Sequence, residues 1–234
     1  MSLPADVSKP PRRRAGRPPQ ALLSAARITQ AALKLINHDG YKGLTMAALA
    51  RSLHVAPSAL YNHVRSKQDV LLLVEDHLMG RVEVSVFGTK PWDEAVTIWA
   101  HSYRDVFAGH LPLIPVIALL PVTNAPATIT MYEAVTKGFL NAGWSTETIV
   151  DAVVALESFI YGSAYDANAP GNIFDTGELA GDAPRFSAAV ARRGLGPGLG
   201  SAAHGEQRND ADAAFNLGLN AMIAGLAATR APQG

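Results

Sequence analysis

The residues best placed to do chemistry lie between Thr45 and Lys67, and their chemistry is recognition rather than bond making. Residues 45–63 fit the spacing of a helix-turn-helix: a supporting run from Met46 to Leu53, a sharp turn, and a second run from Ala56 to Val64. Leu49, Leu53, Val55 and Leu60 supply an apolar lock, which leaves Ser58, Ala59, Tyr61, Asn62 and His63 facing outward. Asn62 has the donor and acceptor for a bidentate contact to adenine. The Ser58 hydroxyl serves several bases, and Pro57 or Ala59 offers apolar contact to a thymine methyl. Thr45 and Lys67 open helices, where free amides and the helix dipole favour an anion such as phosphate. His54 occupies the turn. If the turn needs a positive φ, His is among the better non-glycine residues there, at a cost of about 1 kcal/mol.

Charge points to the same partner. The whole chain of 234 residues is neutral, with 20 basic and 20 acidic residues, yet residues 1–67 hold eleven basic and two acidic residues, a net +9, which leaves the remainder at −9. A basic head suggests a polyanion such as double-stranded DNA, and the acidic body repels it. Residues 1–20, rich in Arg and Pro, read as a disordered basic arm. Arg14 and Arg17, with Arg13, either enter a minor groove or belong to a solvated tail.

The elements that position these residues read as helices throughout, an all-α fold with no convincing period-2 strand. Residues 21–40 form the first helix, stopping at Asp39-Gly40. Residues 21–67 make a helix-turn-helix domain and residues 68–234 a larger helical one. Ser66 caps a long pattern, Val70, Leu71, Val74, Leu78 and Val82, that runs to Phe87 and ends near Gly88 to Pro91. Helices are expected at Trp92 to Ala108, Leu113 to Leu120, Ala125 to Ala142, Thr146 to Tyr165 and Asp210 to Thr229. Gly218, Ala221 and Gly225 in the last of these allow a close helix approach. Residues 166–208 carry eight Gly and three Pro, so they read as a mobile loop with one short helix at Pro184 to Arg192.

The run GLTMAALARSLHVAPSALYNHVRSKQDVL, residues 43–71, resembles the tetracycline-repressor (TetR) family of bacterial transcription regulators. HLPLIPVIALLP, FLNAGWS and AAFNLGLNAMIAGL resemble helices of that family's ligand domain. The resemblance implies a three-helix DNA-binding head, a connecting helix, and a body that dimerises and holds a small apolar ligand. It implies that Tyr61 and His63 contact phosphate. Met46 and Ala47 stand where some members place a base-reading arginine. The expected function is a homodimeric, ligand-responsive repressor of an inverted-repeat operator, cytoplasmic and nucleoid-associated when bound to DNA. The alternatives are an activator or corepressor-dependent regulator, or a helical small-molecule-binding or hydrolytic protein without specific DNA binding.

In the body, the aromatic set Trp92, Trp99, Tyr103, Phe107, Tyr132, Phe139, Trp144, Phe159 and Tyr161, with Met131, either lines the ligand cavity or fills the core. Glu157 lies in the apolar stretch VVALESFIYG, where a carboxylate must find a partner: it anchors a ligand or pairs across the dimer. The chain has no Cys, which excludes a disulfide framework, a zinc ribbon and a cysteine nucleophile. No G-x-S-x-G occurs, and GLGPGLG at 194–200 lacks the spacing of a phosphate cradle. His101 and Asp105 at i, i+4 read as a surface or pocket pair rather than metal ligands. No enzyme activity, cofactor or metal is expected. The longest apolar stretch, Leu111 to Val122, is broken by Pro112, Pro115 and Pro121, and no membrane association is expected.

Overall fold

Among residues 23–170, 173–193 and 204–230, which the computed structural model describes, ten α-helices and three short 3-10 turns occur and no strand. The arm, with Arg14 and Arg17, and the GLGPGLG run lie outside the described residues. The head begins with α1 (Ala25–Gly43), capped by the Ser24 hydroxyl, which accepts from the Arg27 amide. It buries Ile28, Ala32 and Ile36. Rather than stopping at Gly40, the helix carries on to Gly43 across a kink, because Gly40 takes φ 70°. α2 (Met46–Leu53) follows, then α3 (Pro57–Tyr61), with Pro57 in the first turn, where its missing amide costs nothing.

The connecting helix α4 (Lys67–Met79) starts with a reciprocal cap. The Ser66 hydroxyl accepts from the Asp69 amide and donates to the Asp69 carboxylate, which also accepts from the Arg65 amide at 2.8 Å. These hydrogen bonds, the Arg65 amide foremost, hold the Asp69 carboxyl below its usual range. The helix does not reach Phe87 as the apolar spacing suggests. Gly80 caps it, its amide donating to the Asp76 carbonyl, and Val82 and Phe87 reach the core from a loop and a 3-10 turn at Ser85–Gly88.

The body is built on α5 (Trp92–Ala108), which packs along α8 (Thr146–Asp166). Between them come α6 (Ile114–Ile117) and α7 (Pro126–Asn141). The expected helix from Leu113 to Leu120 is cut to one turn, preceded by a 3-10 turn at Leu111–Leu113, as Pro112, Pro115 and Pro121 require. Gly138 of α7 is needed for packing: a Cβ there would lie 2.3 Å from the Phe87 ring. Residues 166–208 are not a loop throughout. They hold a 3-10 turn at Gly177–Gly181 and α9 (Pro184–Arg192), joined by Thr176 and Ser187 hydroxyls 3.0 Å apart. α10 (His204–Ala228) begins six residues before the expected Asp210.

α10 closes the body against α8 and α5. Gly218 admits the Phe159 ring, which a Cβ would meet at 2.6 Å, whereas Gly225 faces open space. Residues Ala211–Ala228 are long and apolar enough to cross a membrane by length and composition, with mean hydropathy 1.2. Much of that apolarity is Ala and Gly, and Phe215, Leu219 and Ile223 are buried in the core of this fold.

A cap fastens the connecting helix to the body, while α1 of the head also packs on the Leu111–Leu113 turn. α7 has no side-chain cap of its own, and Asp76 of α4 supplies it: one carboxylate oxygen accepts from the Ala127 amide at 2.7 Å and the Thr128 amide at 3.0 Å. Asp76→Ala is expected to cost about 1–2 kcal/mol, as loss of a helix cap does. Urea unfolding at fixed chain concentration measures it, and an unchanged midpoint would show that this cap carries no stability.

Candidate functional site

The turn between α2 and α3 takes the shape the sequence suggests. His54 sits in the left-handed region at φ 56°, ψ 41°, and its amide and that of Val55 close α2 onto the Arg51 and Ala50 carbonyls at 3.0 Å. Leu49, Leu53 and Leu60 are buried and Val55 is partly buried. Pro57, Ser58, Tyr61, Asn62 and His63 are exposed in one short stretch of chain, with Ala59 half-buried. Three expected residues are already engaged. The Thr45 hydroxyl caps α2 by accepting from the Ala48 amide, and Met46 packs partly buried against the core. The Lys67 ammonium donates to the Tyr41 carbonyl at 3.1 Å and lies 3.7 Å from the centre of the Tyr41 ring. Lys67 therefore fastens the end of α1 to the start of α4, in addition to any contact it makes with phosphate.

In the body, the structure gathers Tyr103, Tyr132, Glu157 and Tyr161, all expected there, and adds one residue that the sequence reading did not place there. Tyr103 donates to one Glu157 oxygen at 3.0 Å and Tyr132, from α7, donates to the same oxygen at 2.7 Å; the Tyr103 and Tyr161 hydroxyls are 2.8 Å apart. Phe107 packs its ring on Tyr103 and Tyr161, and Trp99 packs on Tyr103. Glu157 thus finds its partners within the chain. Burial pushes its carboxyl up, and the two phenols oppose that shift. Burial also raises the phenols of Tyr103, Tyr132 and Tyr161, so all three stay protonated donors.

The addition is Glu75 of α4. Its residue is 3% exposed, and one of its carboxylate oxygens has no hydrogen-bond partner among the described residues. Burial, then the charges of Asp76 and Glu157, push its carboxyl up to about 7. A signal for it exists in the sequence, since Glu75 follows Leu71 by four and precedes Leu78 by three, on the apolar stripe. Phe139, by contrast, is set apart in a second aromatic group, its ring 5.1 Å from both Trp92 and Trp144. Met131 is buried on α7. A groove of about 670 Å3 between the start of α5 and the end of α10, lined by Trp92, Thr97, Ile223 and Arg230 among others, includes Trp92 alone of the expected aromatic set. His101 pairs with Asn216 of α10 at 2.8 Å, and the described residues contain no cluster of three or more groups that could hold a metal ion.

A carboxyl raised in the folded state loses stability as it ionises. The contribution of Glu75 is therefore fully present below pH 4.5 and is lost as pH rises through 7. Its loss is about 3 kcal/mol for a shift of this size. Urea unfolding of Glu75→Gln and the parent at pH 4.5 and 8 should show the variant gaining that amount relative to the parent at the higher pH. A difference independent of pH would show that Glu75 ionises normally.

The chain matches the family described as "Bacterial regulatory proteins, tetR family" over residues 28–74 and "Tetracyclin repressor-like, C-terminal domain" over residues 87–230. The tetracycline repressor protein class E of Escherichia coli is 25% identical over 210 residues, 89% of this chain and 92% of that protein. An HTH-type transcriptional regulator of Saccharopolyspora erythraea is 29% identical over 142 residues; the match spans 61% of this chain and 60% of that regulator, less than two thirds of its length. The Streptomyces coelicolor TetR family protein ActR, solved in complex with actinorhodin, is similar with a TM-score of 0.68 and 25% identity, covering 92% of this chain and 100% of that one. With the helix-turn-helix head and the larger helical body already described, these matches establish that the chain belongs to the tetR family of bacterial regulatory proteins, a family of transcription regulators.

Proposed function

We propose that this chain is a dimeric repressor that binds an inverted-repeat operator through residues 21–67 and is released from it by a small molecule held in the body, residues 68–234. In this reading Asn62 and Ser58 read base edges, Pro57 and Ala59 touch thymine methyls, and Tyr61, His63, Thr45 and Lys67 position the head on phosphates. Arg14 and Arg17 of the arm add charge. The ligand lies against Trp99, Tyr103, Phe107, Glu157 and Tyr161. The observation that carries the reading is α4, whose first residue, Lys67, is tied to α1 of the head and whose Glu75 is buried and acts electrostatically on Glu157, Tyr132 and Tyr161 of the body. A ligand there touches the helix on which the head is mounted. A relative solved with a bound small molecule, ActR with actinorhodin, supports a ligand in this fold.

The dimer surface in this reading is the outer face of α8 and α10. Val150, Val154 and Leu217 are exposed there, Leu217 by 76%, although large apolar side chains normally seek cover. Small residues, Ala221 and Gly225, share that exposed face of α10. Two such helices from each copy make a four-helix interface with two-fold symmetry. The recognition helices then stand roughly 34–36 Å apart, one turn of the duplex.

Selection from a random duplex pool should enrich an inverted repeat, and anisotropy titration against the selected duplex should show affinity falling steeply with salt. Asn62→Ala should weaken the selected site by about 1–3 kcal/mol while leaving random DNA unchanged. Weak binding without a consensus would overturn the reading. Leu217→Glu with Val154→Glu should turn the dimer into a monomer in sedimentation equilibrium and abolish binding to the repeat; a dimer that persists would place the interface elsewhere.

A further inference from the structure

Two carboxyl groups inside the body act on each other, and among the described residues no basic group is among the charges that act on either. Glu75 comes from α4 and Glu157 from α8; the charges that act on Glu75 are those of Asp76 and Glu157, both acidic. Tyr132 on α7 and Tyr161 on α8 each feel the charges of both glutamates, so Glu75 is an electrostatic neighbour of the hydroxyl cluster. Glu157 is satisfied by Tyr103 and Tyr132, whereas Glu75 keeps an oxygen with no donor among the described residues although it is 97% buried, being 3% exposed. Buried charges in proteins are paired, and an unpaired one is costly. The missing partner is a cation.

The surroundings say which kind. A hard metal ion takes six or more oxygen ligands in a compact shell, and the described residues hold no such group. What they offer is aromatic: Tyr103, Tyr161 and Phe107 pack ring to ring at 5.2–5.6 Å, with Trp99 beside Tyr103 and its indole N–H also unpartnered. Ring faces attract cations with apolar bodies, and the more so away from water. We propose that Glu75 and Glu157 anchor an organic cation, a protonated amine or quaternary ammonium on an aromatic frame, and that its binding acts directly on α4. This rests on the ligand-responsive reading above and names the chemistry of its ligand.

Below pH 7 a proton neutralises Glu75 in the free protein. The cation displaces that proton to solvent, so one proton is released from each protonated site as the ion pair forms. Affinity for the cation rises as pH increases through 7, against Asp76 on the same helix, Glu157 and Tyr161 from α8, Tyr132 from α7 and Tyr103 from α5. The bound cation then joins α4 to α8, and α4 is the helix whose Asp76 caps α7 and whose Lys67 holds α1.

The test uses two ions of the same shape and opposite charge, tetraphenylphosphonium and tetraphenylborate, titrated into the full chain by calorimetry at pH 7.5. The cation is expected to bind at least roughly tenfold more tightly than the anion. Glu75→Gln and, separately, Glu157→Gln should each remove roughly tenfold or more of cation affinity. Near pH 6.5, two buffers of different ionisation heat should reveal proton release on cation binding in the parent and none in Glu75→Gln. Equal binding of the two ions, tighter binding of the anion, binding of neither, or an unchanged cation affinity in both variants overturns the site. If a variant does not fold, as judged by circular dichroism, the contrast between the two ions and the proton release in the parent decide alone. Operator binding measured beside these titrations separates the two claims. A selective operator with indifference to ion charge sinks the cation site only, and cation binding without any selective operator sinks the regulator reading only.

Discussion

The carboxylate of Asp76 fixes α4, the helix that leads out of the head, against α7 of the body. Pro126 opens α7 with no side chain to cap it, so the amides of Ala127 and Thr128 need an acceptor from elsewhere. Asp76 provides it from the last turn of α4. The opposite end of that helix is fixed by Ser66 and Asp69 within the chain turn and by Lys67 on Tyr41 of α1. Between the two ends Val70, Leu71, Val74 and Leu78 are buried. A helix pinned at both ends and buried along one face moves as a rigid piece, so displacement at one end is carried to the other.

The neighbouring residue, Glu75, shows the opposite economy. Glu157 is desolvated but accepts two phenolic hydrogen bonds, so its burial is compensated in part. Glu75 is as deeply placed without equivalent donors, and its carboxyl shifts toward neutrality instead. Replacing either acid by an apolar side chain would suit the core better in isolation. A polar group left half satisfied in a packed interior fits a place where binding, rather than stability, sets the residue. That both of these acids, Glu75 unsatisfied and Asp76 serving as a cap, are adjacent on α4 brings the weakest point of the body onto the same turn as its joint to the head.

Much of this was legible from spacing and punctuation. Trp92 to Ala108 has the bounds expected from Pro91 before it and Gly109 after it. Pro184 to Arg192 likewise forms within a glycine-rich stretch, and the outward row from Ser58 to His63 follows from the leucines that lock the head. His54 was legible as a turn residue because few residues tolerate a positive φ. The end of α4 was not, since Val82 continues the apolar stripe in number while Gly80 breaks the helix in space. Glu75 was hidden for a related reason: in the run Glu75-Asp76-His77 an acid on the stripe reads as part of a solvated face. Phe139 shows the limit of helical spacing, which gives the face that is buried but not the neighbour it meets. The neighbours, Trp92 and Trp144, come from the start of α5 and the turn before α8.

On the proposed function, the split of charge between residues 1–67 at +9 and the rest at −9 has a consequence for how the two parts divide their tasks. The basic head attracts a duplex and the acidic body repels it, so approach favours the head-first orientation. At physiological salt the field is screened over about 8 Å. The effect is therefore confined to the last step of encounter, and it does not distinguish one base sequence from another. Discrimination falls to the few donors of the outward row, Ser58 and Asn62 above all, because α2 presents Met46 and Ala47 without a hydrogen-bonding side chain. With so few base-edge contacts, one head alone discriminates weakly, and a two-fold pair squares that discrimination when both heads are held at the correct separation. Separation is then the quantity a ligand must alter, and α4 is the element that sets it.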